Sequence, residues 1–226
     1  MNPKLPRIIS FDIDGTLVDF LSMLHAALDV VGQRLASLGG AALSSQQLQT
    51  VRNAVAADPA FAGATLEALR RESFRRAAST VGLNPDAHVD DLLQLFIASR
   101  EPHRHLYADV EPTLKTLRNL GIRVVAASNG NTPLRESPLA EYFAAWFYAG
   151  EMGVAKPDTG FYQETMRRLS ATPEEIVHVG DSWVEDYLPA RSCGMGALLL
   201  RRRASQPEVC VETISNLYEL MDALSV

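Results

Sequence analysis

Cysteine is nearly absent: Cys193 and Cys210 are the only two in 226 residues. They form no metal or redox spacing, and such sparse use points to a reducing compartment. No apolar run approaches the ~18 residues of a membrane span. The start, Met1 to Arg7, carries no hydrophobic signal region, so the expected location is cytoplasmic. Long basic runs are missing too. The formal charge is −6, and Arg201-Arg202-Arg203 is the sole basic cluster, which reads as a solvated strand end. Neither nucleic acid nor an anionic membrane is therefore an expected partner. There is no internal repeat and no low-complexity segment. What remains is 47% hydrophobic and 21% charged, the profile of a soluble globular chain. Its length fits one large domain, or a domain carrying a smaller inserted one.

The stretch Ile8-Ile9-Ser10-Phe11-Asp12-Ile13-Asp14-Gly15-Thr16-Leu17 organises the rest. An apolar run ends in two carboxylates one residue apart. On a strand they point the same way, and Gly15 lets the chain leave in a tight turn. Paired carboxylates at one strand end suit a divalent cation with oxygen ligands; an ordinary acidic turn is the plain alternative. A calcium-binding helix-loop-helix does not fit. It needs glycine at the sixth loop position and glutamate at the twelfth, whereas Gly15 is fourth and Met23 twelfth.

From about residue 20 to 105 only helical patterns occur. Leu21, Leu24, Leu28, Val31, Leu35 and Leu38 follow a helical period that Gly39-Gly40 stops. Ser44 caps a second helix through Leu48, Val51 and Val55, ended by Asp58-Pro59. Thr65 opens a third through Leu66, Leu69 and Phe74. Asn84-Pro85 opens a fourth through Val89, Leu92, Leu93, Phe96 and Ile97, closed by Glu101-Pro102. The pattern then changes to alternation. A helix with Leu114, Leu117 and Leu120 ends at Gly121, and the strand 122–127 runs into Ser128-Asn129-Gly130. A short strand near Trp146–Tyr148 precedes a loop bearing Lys156-Pro157. A helix from Phe161 to Leu169 leads to the strand 176–179 and Gly180-Asp181. Past Asp186 a helix packs through Ala190, then come the strand 197–200 and a last helix with Ile214, Leu217, Leu220 and Met221. Near-continuous apolar strands alternating with helices predict an α/β fold, a parallel sheet covered on both faces. The helical block is an insertion after the first strand.

In open parallel sheets functional groups gather at the carboxyl ends of the strands. Asp12 and Asp14, Ser128-Asn129-Gly130, and Gly180-Asp181-Ser182 stand at such ends, and Lys156 lies in the loop after the third strand. With Asp186, four carboxylates would face one ammonium, a cluster that calls for a divalent cation. Carboxylate and water oxygens favour magnesium. Ser128, Lys156 and backbone N–H groups are what a phosphoryl group needs to spread its charge.

This order of segments resembles the haloacid dehalogenase superfamily of hydrolases along the whole chain. Its first motif, Asp-x-Asp-Gly-Thr, stands as residues 12–16, and its second, a strand ending in Ser or Thr, as Ser128. Its third is Lys156-Pro157, and its fourth is Gly180-Asp181 through Asp186. The resemblance implies a Rossmann-like core from residues 1–18 and 106–226, with an alpha-helical cap at 19–105 that covers the active site. It further implies a magnesium-dependent phosphatase of small phosphate monoesters. Asp12 would be the nucleophile that forms an aspartyl-phosphate, and Asp14 the acid and then base. Magnesium would be held by Asp12, the backbone carbonyl of Asp14, and Asp181, with Asp186 directly or through water. Ser128 and the Asn129 N–H would hold phosphoryl oxygens, and Lys156 would also restrain Asp12. A phosphosugar mutase of the same superfamily would use the same Asp12 and Asp14. A non-catalytic binding protein would be expected to have lost Asp12, Asp14 or Lys156. Dehalogenases of the family usually carry tyrosine where Asp14 stands and work without magnesium. Pro189 replaces a frequent family glycine, at a first-turn position that tolerates proline.

Other residues have plainer readings. His103 and His105 belong to the cap hinge or surface, and His178 is a packed strand residue. Trp183 either touches substrate or shields the cleft. No Gly-x-Ser-x-Gly surrounds Ser128, so a serine hydrolase is not indicated.

Overall fold

The structure, a computed structural model, describes residues 5–101, 105–202 and 211–224. Strand β1 (Ile8–Phe11) is followed by α1 (Phe20–Ser37), α2 (Ser45–Ala57), α3 (Leu66–Thr80) and α4 (Pro85–Arg100). Helix α5 (Val110–Asn119), β2 (Arg123–Ser128), β3 (Phe143–Tyr148), α6 (Ala149–Met152) and α7 (Thr159–Leu169) come next. The chain continues through β4 (Ile176–Gly180), α8 (Leu188–Ser192), β5 (Gly196–Leu200), β6 (Thr213–Ile214) and α9 (Leu220–Ala223). Two compact units result: Phe20–His105, and Met1–Asp19 together with Leu106–Val226. Among the described residues no helix is long and apolar enough to cross a membrane.

In the sheet unit all strand pairs are parallel, in the order β3-β2-β1-β4-β5-β6. This is the doubly wound Rossmann-like order. The winding reverses beside β1, so the crevice lies at the carboxyl ends of β1 and β4. Side-chain alternation explains why both faces are apolar. Ile9, Phe11, Val124, Ala126, Val179 and Leu198 share one core with Leu114 and Leu117 of α5. Ile8, Val125, Ala127, Ile176 and Ala197 pack with Phe161, Tyr162 and Ala190 on the other side.

The helical unit builds its own core from Leu24, Leu28, Val31 and Leu35 of α1 against Leu48, Phe74, Leu92 and Phe96. Its helix starts are those the sequence predicts. Ser44 and Gln47 form a reciprocal capping box, Thr65 accepts from the Ala68 N–H, and Asn84 accepts from the Asp86 N–H. Each such cap contributes about 1 kcal/mol. Leu66 and Ile97, assigned to the inner stripes by period, are exposed. Leu66 opens its helix, and Ile97 is turned about 100° from the buried Phe96, too far for both to face inward.

Three further expectations are corrected. Ile214 lies in β6, where it pairs with Leu200, and the last helix begins only at Leu220 after a tight turn over Leu217–Glu219. A wide π-type turn, Trp183–Tyr187, stands between Asp181 and α8, with Asp186 buried inside it. Arg202 is not solvated. It forms a two-pronged pair with Asp109 at 2.9 and 3.0 Å, donates to the Thr16 carbonyl, and lies 3.8 Å over the Tyr107 ring. A basic run read by composition misses this, because a guanidinium's fork finds its carboxylate through the fold. Arg203, His103 and Cys210 lie outside the described residues; His105 is exposed, and Cys193 is half-buried.

Candidate active site

The β1 and β4 ends meet at Asp12, whose backbone N–H donates to the Val179 carbonyl at 2.9 Å. The Asp12 side chain is buried there. Gly15 turns the chain with φ +94°, and a Cβ on it would collide with the Asp181 carboxylate. That close approach, together with the left-handed φ, requires glycine. The Asp12, Asp181 and Asp186 carboxylates converge, with an oxygen from each within 4.8 Å of the others.

Lys156 is the positive centre of this group. Its buried Nζ donates to Asp12 Oδ1 at 2.7 Å and to Asp186 Oδ1 at 2.5 Å. Asn129 fixes the lysine's backbone from both sides. Its Nδ2 donates to the Lys156 carbonyl and its Oδ1 accepts the Lys156 N–H, both at 2.8 Å. The Asn129 side chain is thus a brace for Lys156, a role the motif does not suggest, since the motif calls only on the Asn129 backbone N–H. Ser128 is buried at the end of β2, its Oγ accepting from the Gly130 N–H at 3.1 Å. The Asp14 carboxylate lies against Gly130, where any Cβ would overlap it. Thr132 Oγ1 donates to Asp14 Oδ1 at 2.5 Å, and Tyr148 in turn donates to the Thr132 carbonyl.

Asp186 has both oxygens engaged. Oδ1 accepts from Lys156 and faces His178 Nε2 at 3.1 Å, and Oδ2 accepts from the Ser182 N–H at 2.9 Å. His178 Nδ1 is 3.0 Å from Ser10 Oγ. An ionised carboxylate only accepts, so Nε2 carries the proton and Nδ1 accepts from the Ser10 hydroxyl. His178 is packed in its strand as expected, but it also aims the carboxylate that holds Lys156. Sequence reasoning misses Thr132 and this use of His178. The one signal for the latter is two polar residues, Ser10 and His178, inside otherwise apolar strands, and they are direct register partners. Nothing in the spacing marks Thr132. Trp183 stacks on Tyr187 with ring centroids 4.8 Å apart.

The charges are unbalanced: two buried carboxylates and the half-buried Asp181 gather around one ammonium. Burial, then Asp186, pushes Asp181 up to about 7. Burial also raises Asp12 well above the ordinary range, and the attraction of Lys156 does not offset it. Burial would raise Asp186 as well, but Lys156 and His178 outweigh it and hold that carboxyl below the ordinary range. Burial lowers His178, so it stays neutral. The donor set is all oxygen, and the missing quantity is positive charge. A hard divalent cation fits both facts.

The family model for haloacid dehalogenase-like hydrolases matches residues 6–194. The chain belongs to this family of hydrolases. A phosphoglycolate phosphatase of Pseudomonas syringae pv. syringae (strain B728a) is 29% identical over 205 residues, covering 87% of this chain and 70% of that protein. The haloacid dehalogenase-like hydrolase domain-containing protein 3 of Danio rerio is 32% identical over 105 residues. That match covers 45% of this chain, which spans only 43% of the relative's length. The crystal structure of a 2-haloacid dehalogenase from Pseudomonas syringae pv. Tomato DC3000 superposes with a TM-score of 0.74 at 27% identity, covering 97% of this chain and 98% of the other.

Proposed function

We propose that this hydrolase is a magnesium-dependent phosphatase of small phosphate monoesters, working through an aspartyl-phosphate in the cytoplasm. The observation that carries the reading is the second carboxylate, Asp14, beside the buried Asp12 and held by Thr132. Asp12 is the nucleophile. Lys156 occupies its Oδ1 and leaves Oδ2 to attack phosphorus, while Ser128 and the Asn129 N–H receive the phosphoryl oxygens. Asp14 gives a proton to the leaving alkoxide, then takes one from the water that cleaves the acyl phosphate. Asp12, Asp181 and the Asp14 backbone carbonyl would hold the cation. Asp186, with both oxygens already hydrogen-bonded, orients Lys156 and would help hold the cation directly or through water. When bound, magnesium supplies the positive charge that keeps Asp12 and Asp181 ionised and offsets the transferring phosphoryl group. The helical unit is read as the cap that selects the substrate.

The similarity to a 2-haloacid dehalogenase supplies the second reading. The two separate on leaving-group chemistry. A halide departs as a stable anion, whereas an alkoxide needs a proton, so Asp14 has work only in the phosphatase. With magnesium, the protein should hydrolyse aryl and alkyl phosphates and release no halide from 2-chloropropionate. Asp14→Asn should slow alkyl esters far more than aryl esters, measured as kcat on matched pairs. Halide release matching the best phosphate ester would overturn the phosphatase reading.

A further inference from the structure

The helical unit spends its ion pairs where they contribute least. Arg34 pairs with Asp91, Arg71 with Asp90, Arg75 with Glu72 and Asp86, and Arg76 with Glu72 and Asp58. All four arginines are substantially exposed, where such pairs add little stability. Arg70 of α3 is treated in the opposite way. Its Nη1 is shut off from solvent and has no hydrogen-bond partner among the described residues. Its guanidinium lies 4.2 Å from the centre of the Phe96 ring, on α4.

The charges around Arg70 make matters worse. Burial, then repulsion from Arg52 of α2 and Arg100 of α4, lowers its pKa to about 10. Gln49, one turn before Arg52 on the same face of α2, also has a buried Oε1 without a partner among the described residues. A guanidinium with one N–H group desolvated and unpartnered is a standing cost to folding. The arginine fork has a natural complement in a carboxylate, phosphate or sulfate, and the aromatic ring beneath it fixes its plane.

We propose that Arg70, held over the Phe96 ring between α3 and α4 with its Nη1 unpartnered among the described residues, anchors a binding site for a small oxyanion within the helical unit. The ligand class is a carboxylate or a tetrahedral oxyanion that two N–H groups can grip at once.

The test compares the full chain with its Arg70→Met and Arg70→Lys variants, using sodium sulfate as probe against sodium chloride of equal ionic strength. Sulfate should raise the Tm of the wild-type chain, and Arg70→Met should lose most of that rise while Arg70→Lys keeps part of it. Without sulfate, Arg70→Met should melt higher than wild type, because it removes an uncompensated buried charge and keeps the packing on Phe96. Equal sulfate shifts in wild type and Arg70→Met, or no shift in wild type, would overturn the proposal. Any sulfate held by Lys156 contributes equally to all three proteins and cancels.

Discussion

The two units hold Lys156 and Arg70, a cation central to each, in different ways. In the sheet unit Lys156 is held by Asp12 and Asp186, and Arg202 by Asp109. In the helical unit the paired arginines are exposed, and Arg70, with its Nη1 shut off from solvent, has no carboxylate among the described residues. The difference shows what each charge is for. A cation locked between two carboxylates has fixed geometry, which suits a centre that must meet a reacting group the same way each time. A cation left without a partner has capacity for a ligand. Stability alone would favour neither a surplus of buried carboxylates nor an orphan guanidinium.

The contrast can be tested first where it is largest. Asp12→Asn is nearly isosteric but a poor nucleophile, so turnover should vanish while the circular dichroism spectrum and melting cooperativity stay native. A folded variant with even a tenth of wild-type kcat would remove Asp12 from the covalent role.

A smaller loss is expected at Lys156. Lys156→Met should cost about 3 kcal/mol of transition-state stabilisation, roughly two orders of magnitude in kcat/KM. Breaking the exposed Arg71–Asp90 pair with Arg71→Ala should leave both activity and Tm near wild type. Similar losses from the two changes would erase the distinction between the units.

The subtlest expectation is a pH dependence. Asp181 has a pKa of about 7 in the folded, metal-free protein against an ordinary 3.8. Between those values the folded state keeps a proton that the unfolded state has lost, so this group's contribution to stability falls as pH rises through the window. Chelated protein should therefore lose Tm from about pH 5 to pH 8. Saturating magnesium should flatten that decline by taking the proton's place. Calorimetry at pH 6 should show proton release on magnesium binding, and affinity should tighten towards pH 8. A chelated protein whose Tm rose over the same range would contradict the surplus of carboxylates at this centre.

Much of the fold and of the site is legible in short stretches of sequence. Helix starts at Ser44, Thr65 and Asn84 follow from local capping chemistry, and the strand-end positions of Asp12, Ser128 and Asp181 follow from apolar runs that stop in polar residues. The last segment misleads because Ile214, Leu217, Leu220 and Met221 fit a helical period while Ile214 completes a sheet edge. A two-residue strand is too short to show a period of two. The turn holding Asp186 is equally hidden, because its shape is set by hydrogen bonds from Ser182 and Tyr162 rather than by its own composition.

By itself, then, the sequence determined the alternation of elements, the inserted helical block and the order of the four polar motifs, since all of these rest on interactions within a few residues. Only the tertiary structure decided which charges meet. Ser10 and His178 lie 168 positions apart and Arg202 and Asp109 lie 93 apart, yet each pair is in hydrogen-bond contact. Arg70 differs from Arg71 by one position on the same helix, and that step of about 100° separates a surface ion pair from a guanidinium laid over an aromatic ring with its Nη1 shut off from solvent. The energy of a charge depends on its desolvation and its partner, and neither exists until the chain has folded.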